Sequence, residues 1–170
     1  MTRKSFLTLG LLAAVSFLAI GSSILLAADK GHDVWLTDYK QAQAFAKKSG
    51  RPIMLLFTGS DWCPPCMAQE KEVFDTKKWQ EWAAANIVPV FVDSPRKKVL
   101  DAKQKAHNAE LSKKFPHNGV PTMVMLTPDG EEFERWVGYG GSVGGVTGWI
   151  KRAEASFAKA KDKIKNQKSS

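Results

Sequence analysis

Two cysteines, Cys63 and Cys66, are separated by two prolines in the segment Trp62-Cys63-Pro64-Pro65-Cys66, and the chain has no others. Two thiols are too few for a disulfide scaffold or a four-cysteine zinc site. Thiols react as thiolates, which the unpaired N–H groups and positive dipole end of a helix N-terminus stabilise. Because residues three apart share one side of a helix, the two sulfurs can meet. The pattern predicts a pair that forms and opens a disulfide.

The two prolines between the cysteines suit the first turn of a helix, where an N–H has no intrahelical partner. Pro65 has no N–H to donate to a Cys63 thiolate, and no His or Lys lies between the cysteines. We therefore expect the pKa of the Cys63 thiol to be lowered only moderately from its ordinary value. A strongly oxidising pair needs a strongly stabilised thiolate, so the motif disfavours that class.

Two other interpretations of the cysteine pair remain open. A ring of this size stabilises a fold by only about 2 kcal/mol under the chain-entropy model, which disfavours a purely structural disulfide. A metal site needs further ligands, and His32, His107 and His117 lack ligand spacing. His117 lies four residues before Pro121 and is otherwise expected to be an exposed loop histidine.

The elements around the motif follow from hydrophobic spacing and turn residues. Thr37 is the expected N-cap of a first helix that ends at Ser49-Gly50. The later helices are predicted at 64–74, 76–85, 96–115 and from 146 onward, and the strands at 53–57, 87–92, 122–126 and 132–137. Helices between strands predict parallel crossovers, and the turn at 127–130 predicts an antiparallel hairpin at the edge. The order predicts an α/β domain.

The first 28 residues differ from the rest of the chain. Arg3 and Lys4 precede residues 5–28, which contain no charged side chain. The segment predicts a signal peptide, and its length, near the ~20 residues of a membrane-spanning helix, leaves a retained amino-terminal anchor as the alternative. Both outcomes place residues 29–170 outside the cytoplasm, in the periplasm or an equivalent compartment, where disulfides persist.

Composition limits the remaining possibilities. A chain of 170 residues with 44% hydrophobic residues fits one globular domain. Its 25 basic and 17 acidic residues give a net charge of +8, which favours acidic surfaces without selecting a partner. The sequence has no phosphate loop, Ser/His/Asp arrangement, dinucleotide fingerprint or nucleic-acid motif. We therefore expect no nucleic-acid partner.

Several segments together resemble the thioredoxin superfamily, and most closely its exported bacterial thioredoxin-like members. They are PIMLLFTGSDWCPPC, IVPVFVD and GVPTMVMLTPDG, together with the opening WLTDYKQAQAFAKKSGR. The resemblance covers residues 34–157 and implies a thioredoxin-like fold, a central mixed sheet flanked by helices. Residues 158–170 would be a basic helix end. The implied activity is that of a thiol–disulfide oxidoreductase without a further cofactor.

By this resemblance, Cys63 is the attacking thiolate and Cys66 the resolving thiol. Pro121 would be cis and pack against the cysteines, while Val120 presents its backbone to an extended substrate. Trp62 would shield the disulfide and offer apolar surface, with Pro64 and Pro65 supporting the site. The implied partners are cysteine-containing protein substrates and a membrane or periplasmic redox protein.

The sequence departs from the family at one position. Many thioredoxins place a buried acid six residues before the first cysteine, and this chain has Phe57 there. Asp61, Glu70 and water are the candidate proton acceptors, and none is preferred. Two alternative functions remain on the same fold, a copper or zinc delivery protein and a non-catalytic interaction module.

Overall fold

The computed structural model describes residues 34–139 and 144–167, with side chains as far as residue 161. The predicted export segment, residues 1–28, lies outside the described residues, as do part of the glycine-rich stretch after 138 and the last three residues. None of the helices in the described part has the length and apolar character that spanning a membrane requires.

The described chain alternates strands and helices around one sheet. The helices are α1 (Tyr39–Ser49), α2 (Pro64–Gln69), α3 (Lys77–Asn86), α4 (Ala102–Lys114) and α5 (Gly145–Gln167), and a π-helical turn (Glu70–Phe74) follows α2. The strands are β1 (Ile53–Thr58), β2 (Val88–Asp93), β3 (Thr122–Leu126) and β4 (Glu132–Val137). The predicted bounds of β3 and β4 are confirmed. A tight turn separates the two strands, and Gly130 adopts a φ of 95° there, a conformation that favours glycine.

The four strands form one mixed sheet in the order β2-β1-β3-β4. β1 pairs parallel with β2, whereas β3 is antiparallel to both β1 and β4. The predicted mixed sheet is confirmed. The expectation that every strand reached through a helix is parallel is wrong for β3, because the connection that contains α4 begins and ends at the same edge of the sheet.

Both faces of the sheet are covered, which explains the continuously apolar strands. Alternate residues of β1 point to opposite faces. Leu55 packs in a cluster with residues of α1 and α4, and Leu56 in a second cluster with the aromatic residues of α3 and α5. The sheet is therefore a rigid base between two apolar layers.

The starts of α1 and α4 differ from the sequence prediction, and most other bounds agree to within one residue. The first helix is capped by Asp38 rather than Thr37, because the Asp38 carboxylate accepts the N–H of Gln41 at 3.0 Å. Residues 96–101 are not helical, although the prediction placed a helix there. α4 begins only after Asp101, whose carboxylate accepts the N–H of Gln104 at 2.8 Å.

Three strand ends meet at one edge of the sheet. Thr58 at the end of β1 lies beside Asp93 at the end of β2, and Phe57 pairs with Thr122 at the start of β3. The segments 59–63, 94–101 and 115–121 therefore leave or enter the sheet at this edge. This edge carries both the cysteine motif and the Val120-Pro121 bond.

Candidate active site

Cys63 and Cys66 form a disulfide at the start of α2, with their Cα atoms 5.2 Å apart. Cys63 is the N-cap residue, in extended backbone conformation, and Pro64 opens the helix. The backbone N–H of Cys63 donates to the carbonyl of Gly59 at 3.0 Å. The turn that follows β1 therefore places the pair where the sequence predicts it.

The first backbone donors of α2 are directed away from the cysteine sulfurs. The N–H groups of Cys66 and Met67 both donate to the carbonyl oxygen of Cys63, at 3.0 and 3.1 Å. Pro64 and Pro65 contribute no N–H at all. The Cys63 sulfur thus lies at the start of α2 but accepts no hydrogen bond from the amides of the first helical turn.

The disulfide is almost fully covered. Cys63 is 3% exposed and Cys66 is 2% exposed. The Val120 carbonyl oxygen lies 3.6 Å from the Cys63 sulfur, and the Val120-Pro121 peptide bond that follows it is cis. Neither cysteine belongs to the two apolar core clusters of the described chain. The pair is therefore buried beside the cis-proline loop and outside the two apolar clusters.

Trp62 is held beside the pair by three contacts. Its indole N–H donates to the carbonyl of Ser94 at 2.7 Å. The guanidinium carbon of Arg96 lies 3.8 Å from the ring centre. A Cβ on Gly59 would come within 2.5 to 2.7 Å of the indole, so only glycine fits there. Arg96 therefore covers one face of the Trp62 ring. The sequence predicts an apolar surface at Trp62 and does not predict this cation.

Asp61 fixes the segment after β2 to the cysteine turn. Its carboxylate accepts the backbone N–H groups of Arg96, Lys97 and Lys98 at 2.9, 2.7 and 2.8 Å. These hydrogen bonds, first among them the one from Arg96, lower the pKa of Asp61 to about 2. A carboxylate that stays ionised and accepts three bonds is a poor proton acceptor for a thiol. Asp61 is thus a loop anchor.

A second carboxylate joins β2 to the same turn. Asp93 is 8% exposed, and its two oxygens accept the backbone N–H and the hydroxyl of Ser60 at 2.9 and 2.6 Å. The backbone oxygen of Asp93 accepts the amide of Asn108, a buried residue of α4, at 2.8 Å. The cysteine turn, β2 and α4 are therefore connected through one residue.

Phe57 is buried at the position where many thioredoxins have an acid. The ring of His117 packs on it with a centroid separation of 4.2 Å. The expectation that His117 is an exposed loop residue is wrong, because this contact leaves it half-buried. Within the described residues, no cluster of three or more His, Cys, Asp or Glu side chains could hold a metal ion.

Sequence reasoning missed three residues at this edge: Gly59, Met67 and Arg96. Gly59 follows a buried strand, and a glycine at such a place often indicates that a large group packs closely against the backbone, here Trp62. Met67 is 42% exposed beside the disulfide, and Arg96 lies on Trp62. No local pattern marks Arg96, because its partners lie more than 30 positions earlier in the chain.

Protonation of Asp61 at low pH should break its hydrogen bonds to the loop backbone. The pKa of Asp61 is about 2 in the folded protein, below its ordinary value of 3.8. The stabilisation is therefore complete above the unfolded pKa and is lost as the pH falls through about 2. The backbone amide shifts of Arg96, Lys97 and Lys98 should therefore titrate together with a midpoint of about 2, as measured by NMR. Asp61→Asn should abolish this titration.

Asp129→Asn is the control for that titration, because Asp129 lies in the β3–β4 turn at the other edge of the sheet. It should leave the three amides unchanged. A common midpoint near 4, or separate midpoints, would contradict the anchoring.

Gly59→Ala should displace the indole of Trp62. The new Cβ overlaps the ring, so we expect a loss of about 1–3 kcal/mol in the free energy of unfolding. The Trp62 indole N–H resonance should also shift as its bond to Ser94 breaks. Denaturant unfolding and NMR measure the two effects. Gly119→Ala is the matched control, since no heavy atom lies within 4 Å of its Cβ, and an equal loss there would refute the packing argument.

Comparisons with known proteins agree with this geometry. Residues 39–143 match the family model of the thioredoxin-like domain. The disulfide bond reductase DsbH of Chlamydia pneumoniae is 27% identical over 119 residues, which are 70% of each chain. DsbJ, a thioredoxin-related protein of the same organism, is 30% identical over 120 residues, which are 71% of this chain and 34% of DsbJ.

Solved structures of thioredoxin-like proteins superpose on this chain. A DsbH oxidoreductase superposes with a TM-score of 0.66 and 26% identity, covering 72% of this chain and 82% of the other. A thioredoxin from Thermus thermophilus superposes with a TM-score of 0.54 and 23% identity, covering 74% of this chain and 87% of the other, which shows the shared fold. With its matching domain, its mixed sheet and its cysteine pair at the start of α2, this chain belongs to the thioredoxin-like family.

Proposed function

We propose that this protein exchanges disulfides with cysteines of exported proteins, and that it acts mainly as a reductant. Its membership of the thioredoxin-like family and its Cys63–Cys66 disulfide make it a thiol–disulfide oxidoreductase. The observation that carries the proposal is the position of this disulfide, at a helix start and in contact with the cis-proline loop. The compartment, the substrates and the direction of electron flow are the proposed parts.

The exchange proceeds in two steps with balanced electrons. The Cys63 thiolate attacks one sulfur of a substrate disulfide, forming a mixed disulfide and releasing the other substrate sulfur as a thiolate that takes up a proton. Cys66 then loses its proton and attacks the Cys63 sulfur, which forms the Cys63–Cys66 bond and releases the second substrate thiol. Two electrons pass to the substrate, and a dithiol donor must reduce the pair again.

The reducing direction is favoured by the start of α2. An oxidising pair depends on a reduced form whose thiolate is strongly stabilised. Here Pro64 and Pro65 provide no N–H, and the N–H groups of Cys66 and Met67 already donate to the Cys63 carbonyl. The relative DsbH is named a disulfide bond reductase, which supports the same direction.

The surface around the disulfide suits an extended peptide. Val120 is half-buried and places its backbone beside the Cys63 sulfur, while the side chains of Pro64, Pro65 and Met67 are exposed around it. A substrate strand would contact backbone on one side and apolar side chains on the other. The exported location rests on the uncharged residues 5–28.

Cys66→Ser should trap substrates in cells. With the resolving sulfur removed, the mixed disulfide on Cys63 persists and is seen as high-mass bands on non-reducing gels that disappear with dithiothreitol. Cys63→Ser is the matched control and should trap little. Equal trapping by both variants would contradict the assigned roles, and capture of cytoplasmic proteins alone would contradict the exported location.

The reduction potential should lie near that of thioredoxin, about −270 mV, and not near about −120 mV, the value typical of a strong oxidant. Equilibration of the pure protein with glutathione buffers of known ratio gives this quantity. Replacing Pro65 with Ala restores an N–H to the first turn and should make the pair more oxidising. A wild-type potential above about −150 mV would overturn the reducing direction.

A further inference from the structure

A basic segment lies next to the disulfide and has no role in the exchange chemistry. Residues 94–100 follow β2, and the side chains of Arg96, Lys97 and Lys98 are all exposed. We call residues 94–100 the basic loop. The Arg96 guanidinium lies over Trp62, the residue directly before Cys63. Arg96 is thus in contact with the residue before the cysteine pair, and the two lysines follow it in the chain with their backbone bound to Asp61.

The basic loop is held in place by its backbone. Asp61 accepts three successive N–H groups from it, and the carbonyl of Ser94 accepts the indole N–H of Trp62. The side chains of the loop are left out of this anchoring. None of the three basic side chains forms an ion pair with a carboxylate of the described residues, although the charge of Lys97 also acts on Asp61. The loop therefore presents three cations on a fixed frame. The nearby carboxylates are engaged with hydrogen bonds of their own: Asp61 with the loop backbone, Asp93 with Ser60 and Asp101 with the N–H of Gln104.

A cavity adjoins the basic loop on the side of α4. Its volume is about 440 Å³, and its lining includes Val99, Leu100, Ala109, Lys98, Lys105 and Asp93. Val99 is 96% exposed, which is unusual for a large apolar side chain. The cavity combines an apolar part with two cations and one carboxylate, that of Asp93, which already accepts both hydrogen bonds from Ser60. Its size suits one or two side chains of a peptide.

We propose that the basic loop and this cavity dock protein substrates that carry acidic side chains beside their cystine. The proposal rests on the exchange function above and names its substrate class. Carboxylates of the substrate would meet Arg96, Lys97 and Lys98, and an apolar side chain would enter the cavity beside Val99. Exposed charges of this kind act mainly on the rate of association, and salt screens them.

The test uses three synthetic peptides with the same disulfide and with flanking residues that are acidic, neutral or basic. The reduced full-length protein should react fastest with the acidic peptide, and the preference should fall as salt rises. In the variant Arg96→Gln, Lys97→Gln, Lys98→Gln, the second-order rate for the acidic peptide should drop about tenfold, with little change for the neutral peptide. The backbone N–H groups remain, so the bonds to Asp61 persist.

Two controls separate docking from other effects. The variant Lys48→Gln, Lys159→Gln, Lys161→Gln makes the same change in net charge with exposed residues of α1 and α5. Lys161 lines a cavity with Gly50 and Thr127, at the opposite edge of the sheet, so this variant should keep the preference. The double variant Lys97→Gln, Lys98→Gln keeps Arg96 on Trp62. It should still lose most of the preference for the acidic peptide. Reduction of the Cys63–Cys66 disulfide by dithiothreitol should be equal in the unchanged protein, the double variant and the control variant.

Equal rates with all three peptides, or an equal loss in the control variant, would overturn the docking proposal while leaving disulfide exchange intact. Failure to react with any peptide would instead overturn the proposed function. Vesicles with 30% phosphatidylserine serve as the competing partner. Binding to them that depends on the basic loop, without any peptide preference, would assign the loop to a membrane surface and overturn docking.

Discussion

The carboxylates of Asp61 and Asp93 hold together the segments that surround the disulfide. Irregular backbone at the end of a strand has N–H groups without sheet partners, and each needs an acceptor. Asp93 supplies acceptors to the cysteine turn, and Asp61 supplies them to the segment after β2. The position of Trp62 and of the cysteines relative to the sheet depends on these bonds, because no strand ladder extends beyond Thr58.

This frame has consequences for the chemistry of the pair. The sulfurs lie outside the two apolar clusters and are almost fully covered, with the Val120 carbonyl oxygen 3.6 Å from the Cys63 sulfur. The prolines after Cys63 remove amide donors where a thiolate would use them. Behind the site, Gln69 is buried and its amide lies 3.1 Å from the sulfur of Met123 in β3. The helix that carries Cys66 is thus attached to the sheet on its inner side.

Local signals predicted the parts of the site that are close in sequence. The cysteine pair and the two prolines are readable within a few residues, and β3 and β4 follow from the apolar segments on either side of a turn. The cis bond before Pro121 was implied by the family resemblance, and the structure has it. The segment 96–101 was mispredicted because its composition is helical while its first N–H groups bond to Asp61, 35 to 37 positions earlier. The burial of His117 depends in the same way on the distant ring of Phe57.

The amino-acid sequence alone was enough for the α/β order, the cysteine pair and the apolar strands, because motif spacing and hydrophobic period act over one or two turns of chain. The thioredoxin-like class followed from the resemblance of its motifs to that family. Only the tertiary structure decided which loops lie beside the sulfurs, that the Asp61 carboxylate binds the backbone after β2, and which basic side chains are exposed. These properties arise from hydrogen bonds and ring contacts between residues about 30 to 60 positions apart. Such contacts leave no periodic trace in a single sequence, since they depend on how strand ends converge.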